Sequence, residues 1–193
     1  MERSLRVSRS DLSILREQLA DYRRRHPVEM EVVGRFEQLL DSHPGCFDRD
    51  CWAGHVTGSA WLVDARGTDV LLTHHRKLDI WVQLGGHSDG DPDTPAVARR
   101  EAEEESGLVV EPALPGIFDL DIHMIPARRS DPEHLHFDVR YAFVTRSGRN
   151  YRVSEESHDL AWVPVEELHR YSREESMLRM GRKWLAMESE GLI

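Results

Sequence analysis

The chain has 193 residues, enough for one domain with a sizeable core and a modest appendage. Its 35 acidic against 25 basic side chains give a formal net charge of −10. That balance excludes general binding to nucleic-acid polymers, which needs clustered Lys and Arg, but leaves room for a small phosphorylated ligand neutralised locally by metal ions.

In chain order, the stretch from Met1 to Ser10 is too polar for a signal peptide, and no later apolar run reaches the length of a membrane span. Ser8 with Asp11 reads as a capping-box-like helix start, and Leu12, Leu15, Leu19 and Tyr22 recur at helical spacing. Pro27 interrupts the pattern, and a second stripe runs through Val32, Val33, Phe36, Leu39 and Leu40. The pair predicts a helical hairpin over residues 1–53, closed by His43-Pro44-Gly45, with the main domain spanning 54–193. Cys46 and Cys51 are not a CxxC pair, and free thiols in a cytoplasmic protein are favoured over a zinc site completed by His43 or His55.

Strands are expected at Gly58 to Val63 and, after a turn at Arg66-Gly67, at Val70 to Thr73. Trp81 to Leu84 leads into Gly85-Gly86 and a polar loop. A helix follows from Pro95 to Ser106, with Thr94 as N-cap and Gly107 at the C-terminal cap. Further strands fall near Gly116 to Ile125, Leu135 to Thr145 and Leu160 to Val163, and a last helix runs from Arg173 to Met187. The order gives an α+β fold with a helix on a sheet. The five tryptophans are scattered and read mostly as core or partly buried anchors.

The richest segment runs from Gly85 to Leu108. Glu101, Glu104 and Glu105 sit at relative helical positions 0, 3 and 4, so they share one face. Clustered carboxylates suit a hard cation such as Mg²⁺ or Mn²⁺, although acidic helices are more often merely solvated. His134 and His136 alternate on a strand with Asp138 on the same face. With His123 nearby they read either as ligands for metal or phosphate, or as a polar sheet face. His87 follows Gly86 and reads as a loop histidine near the same segment.

This segment resembles the Nudix box, G-x5-E-x7-R-E-U-x-E-E-x-G-U with U aliphatic. Gly86 fills the first position, Arg100-Glu101-Ala102 the central one, Glu104-Glu105 the paired glutamates and Gly107-Leu108 the end, with no gap. Pro92, between Asp91 and Asp93, stands where the motif has its first glutamate, which puts loop geometry rather than metal binding in question. The resemblance implies an α/β/α sandwich with a mixed sheet, and hydrolysis of a diphosphate linkage in a small nucleotide-like molecule with Mg²⁺ or Mn²⁺. Glu101, Glu104 and Glu105 would hold the metal, Arg100 would brace them, and Gly86 would turn the loop. Gly86, His87, His134 and His136 would lie toward substrate. Glu105 is the favoured general base, with Glu155 and Glu156 as alternatives. A Nudix-fold sensor that binds without cleaving is the runner-up, and an isoprenoid diphosphate isomerase ranks lower because Cys46 and Cys51 precede the core strands. Oligomeric state stays open, dimers being common in the family, and substrate identity lies on loops outside the box.

Overall fold

A computed structural model of the chain describes residues 11–76, 78–128, 131–155 and 157–193. Ser8, of the expected helix start, and Glu156 lie outside the described residues. The helices are α1 (Asp11–Arg25), α2 (Met30–Ser42), α3 (Thr94–Ser106) and α4 (Glu175–Ser189). The strands are β1 (His55–Val63), β2 (Asp69–His75), β3 (Ile80–Val82), β4 (Leu84–His87), β5 (Val110–Pro112), β6 (Asp119–Ile125), β7 (His134–Thr145) and β8 (Ser157–Pro164). The sheet runs β3-β2-β1-β7-β5, with β4 pairing with β1, β6 with β7 and β8 with β2. Every residue of β1 is buried, so both of its faces are covered, as for a central strand. Among the described residues no helix is long and apolar enough to cross a membrane.

The chain forms two compact units, the first comprising residues 1–58, 86–97 and 116–140. Here Pro27 stops α1, because it lacks an N–H and disfavours helical geometry in the residue before it. A short 3₁₀ turn (Pro27–Glu29) follows before α2 starts. Leu15, Leu19 and Tyr22 on α1 and Val33, Phe36 and Leu40 on α2 are almost wholly buried, as their spacing predicts. The ring of Phe36 packs edge-on against Phe137 of β7 at 5.2 Å, and Arg25 donates to the Ile117 carbonyl at 3.0 Å. The hairpin thus shares its core with the β6–β7 ribbon. Exposed pairs such as Arg16–Asp41 add little to that apolar contact.

The second unit comprises residues 59–85, 98–115 and 141–193. Its β2 pairs antiparallel with β8 in the register Val70↔Val163 through Thr73↔Leu160. The turn between β1 and β2 closes through Gly67 N–H to the Asp64 carbonyl, 2.9 Å, at the expected Arg66-Gly67 position. The α4 helix buries Met177, Met180, Gly181 and Trp184, and the Trp184 indole N–H donates to the Gly67 carbonyl at 2.7 Å. Gly85 lies where β4 crosses Ser59 of β1, and a Cβ there would stand 2.8 Å from the Ser59 Cα. Because the obstacle is backbone, neither strand can yield cheaply. Gly85→Ala is expected to lower unfolding free energy by about 1–3 kcal/mol, read by urea denaturation. An unchanged midpoint would mean that the two strands do not cross this closely.

Candidate functional site

The α3 helix starts differently from expectation. Asp93, not Thr94, is the N-cap: its carbonyl accepts from Val97 N–H at 2.9 Å and its carboxylate from Ala96 N–H at 3.2 Å. Thr94 is fully buried instead. Asp91 in turn accepts from the Asp93 N–H at 2.9 Å. The two aspartates flanking Pro92 therefore brace the loop that the missing motif glutamate would otherwise support. Asp93→Ala should cost about 1 kcal/mol by thermal unfolding; a neutral change would remove Asp93 as the cap.

Gly86 is not the turning residue. It lies inside β4, and the positive φ falls one position earlier, at Gly85. At the other end of α3, Gly107 has φ +69° and its N–H reaches the Glu103 carbonyl at 2.8 Å, the left-handed C-terminal cap that the sequence predicts.

Between these ends, Val97, Ala98 and Ala102 are wholly buried and form the slim apolar side of the helix. Glu104 is exposed, while Glu101 and Glu105 are half-buried. Arg100 donates to Glu101 at 3.1 Å, and Arg99 pairs instead with Glu103 at 3.2 Å. The three glutamates thus differ in exposure along the helix, and they do not bring three carboxylate oxygens within 4.8 Å of one another. Glu155 is exposed in the turn before β8.

The histidines converge more tightly. His87 ends β4 and is half-buried, not the exposed loop residue that its sequence context suggests. His55, His87 and His136 bring ligand nitrogens within 4.8 Å of one another, the sole such group among the described residues. His134 lies 4.8 Å from His55 and 5.3 Å from His136 between ring centroids. Its Nδ1 donates to the Pro132 carbonyl at 2.7 Å. Burial, and then the neighbouring imidazoles, push His55 down to about 4 and His136 down to about 2. Both are neutral imidazoles at neutral pH. His55, expected at most as a zinc partner for the cysteines, sits instead among these imidazoles.

The β6–β7 ribbon explains why the cluster forms. Its register pairs Asp119↔Arg140, Asp121↔Asp138 and His123↔His136, so one face carries a ladder of polar side chains. Arg140, at 2 % exposure, reaches Asp138 at 2.7 Å, Asp119 at 3.1 Å and Asp121 at 3.2 Å. Burial alone would depress the guanidinium, but the three carboxylates outweigh it and hold Arg140 above its usual value. Asp138 also accepts from Thr57 at 2.9 Å, and Asp121 holds His123 at 3.1 Å.

The cysteines form no such site. Both are free; Cys46 is buried and its thiol is pushed up to about 12 by burial, so it offers no thiolate. His43 is exposed, whereas His55 belongs to the imidazole cluster.

A family model described as the NUDIX domain matches residues 54–183, more than half of the chain. The chain belongs to the Nudix family. The family match carries that membership, and the solved Nudix structures carry the fold. A NUDIX-family hydrolase from Clostridium perfringens is similar at 24% identity and a TM-score of 0.52, over 69% of this chain and 97% of that one. The E. coli dihydroneopterin triphosphate pyrophosphohydrolase aligns at 14% identity and a TM-score of 0.52, over 66% and 92%. The NUDIX domain of Shewanella oneidensis NrtR, solved with ADP ribose, aligns at 17% identity and a TM-score of 0.50, over 81% and 98%. No curated protein matches the sequence. At these identities the Nudix fold, an α+β architecture with a mixed sheet, is what the likeness shows.

Proposed function

We propose that this Nudix chain hydrolyses a diphosphate linkage in a nucleoside diphosphate derivative or a similar small phosphorylated molecule, using Mg²⁺ or Mn²⁺. The single observation that supports it most is the intact set Arg100, Glu101, Glu104 and Glu105 on one capped helix inside the family match. A bound cation would neutralise the diphosphate and lower the pKa of the attacking water. Glu101, Glu104 and Glu105 would hold it, and Arg100 donates to the Glu101 carboxylate at 3.1 Å. Glu105 accepts the water proton as oxygen attacks phosphorus, and the anhydride P–O bond breaks with its electrons leaving on the departing phosphate. Residues 1–53 are an appendage to the catalytic domain over 54–193.

Pro92 at the motif's first glutamate position favours one second reading, a binding module without cleavage; a similar NUDIX domain has been solved with ADP ribose bound. A panel of nucleotide diphosphate derivatives with Mg²⁺ or Mn²⁺, its products identified by chromatography, separates the two. Cleavage that a chelator abolishes is the expected result. Tight binding of one compound with no product would replace hydrolase by sensor.

A further inference from the structure

We propose that His55, His87 and His136 form a three-imidazole site for one divalent transition-metal ion of the zinc class, using none of the glutamates of α3. His55 is 1% exposed, and its one polar backbone neighbour, Cys51, falls short of hydrogen-bond geometry, so its ring nitrogens lack well-formed partners; the His136 Nε2 is likewise buried without one. Buried polar atoms are nearly always satisfied, so this pair of imidazoles needs a reason.

Geometry supplies the reason. The ring centroids of His55 and His136 are 4.6 Å apart, those of His55 and His87 5.2 Å, and those of His87 and His136 5.1 Å. Tetrahedral zinc, with bonds of roughly 2.0–2.1 Å, places its ligand nitrogens about 3.3 Å apart. Ligand atoms already within 4.8 Å reach that spacing by modest side-chain rotations.

The ligand chemistry selects the ion. Neutral imidazoles favour zinc, copper, nickel, cobalt or iron, whereas Mg²⁺ prefers oxygen. Three histidines would leave a fourth position for water or a further ligand. Around the trio stand further groups of the kind that orient ligands: His123, paired with His136 across the ribbon and held by Asp121, which Arg140 fixes in turn. The site shares none of the glutamates of the hydrolase reading, although His87 and His136 are also expected toward substrate; metal titration reads the site without turnover, so either reading can fail alone.

The test is titration of the metal-stripped full chain with Co²⁺, followed by competition with Zn²⁺. One equivalent should bind with the intense visible absorption of four-coordinate Co²⁺, and Zn²⁺ should displace it. Loss of one ligand should weaken binding by more than the roughly 10- to 100-fold that loss of a supporting partner costs. His136→Ala is the direct variant. His87→Ala, at a half-buried strand end, guards against a folding failure, with circular dichroism confirming the fold. Glu104→Gln and Glu105→Gln should leave the absorption unchanged. Absence of the absorption in the wild type, its persistence in both histidine variants, or its loss in the glutamate variants would each overturn the site.

Discussion

Turnover by Glu105→Gln is expected to fall by roughly 10²- to 10⁴-fold, about 3–5 kcal/mol of transition-state stabilisation, at saturating Mg²⁺. The substitution keeps the shape of the side chain and removes both its charge as a metal ligand and its basicity. Glu105 is half-buried on a helix whose apolar side is formed by Val97, Ala98 and Ala102, not by the glutamates. Stability should therefore move by no more than about 0.5 kcal/mol, roughly 2 °C in Tm. Paired kinetics and thermal unfolding separate the two effects. Near-normal turnover in a folded variant would remove Glu105 from the chemistry and turn attention to Glu155.

The second large effect belongs to the fold. Arg140→Met should destabilise the protein by roughly 3–5 kcal/mol, because it strands the Asp119 and Asp138 carboxylates without their shared cation. Asp119 is wholly buried and Asp138 is 1% exposed, so water cannot readily replace the guanidinium. For a chain of this size the loss corresponds to a fall in Tm of about 10 °C or more. Arg140→Lys should recover only part of it, since an ammonium cannot fork to carboxylates on two strands as the guanidinium does. A Tm unchanged in Arg140→Met would mean that these carboxylates are not ionised in the folded protein.

What the sequence reveals is whatever local spacing controls. The hairpin stripes, the Arg66-Gly67 turn, the C-terminal cap at Gly107 and the shared face of Glu101, Glu104 and Glu105 all depend on offsets of a few residues. Alternation alone also places His134, His136 and Asp138 on one face of β7. Thr94 and Asp93 are both good capping residues, and only the bonds to Ala96 and Val97 choose between them. The three-residue β5 lies below the length at which periodicity is visible. His55 eludes sequence reasoning for a different reason. It sits on a strand buried on both faces, where alternation carries no signal, and its partners are 32 and 81 residues away in His87 and His136. Only the strand pairing brings them together.

The central claim is metal-dependent hydrolysis at phosphorus by the residues of α3. Its most direct measurement is a reaction in isotopically labelled water with Mg²⁺ or Mn²⁺ and a panel of nucleotide diphosphate derivatives, analysed by mass spectrometry. The account predicts two phosphate-bearing products from at least one compound, with the heavy oxygen on one of them and no product in the presence of chelator. Tight binding of a panel member with no labelled product at any metal concentration would contradict it.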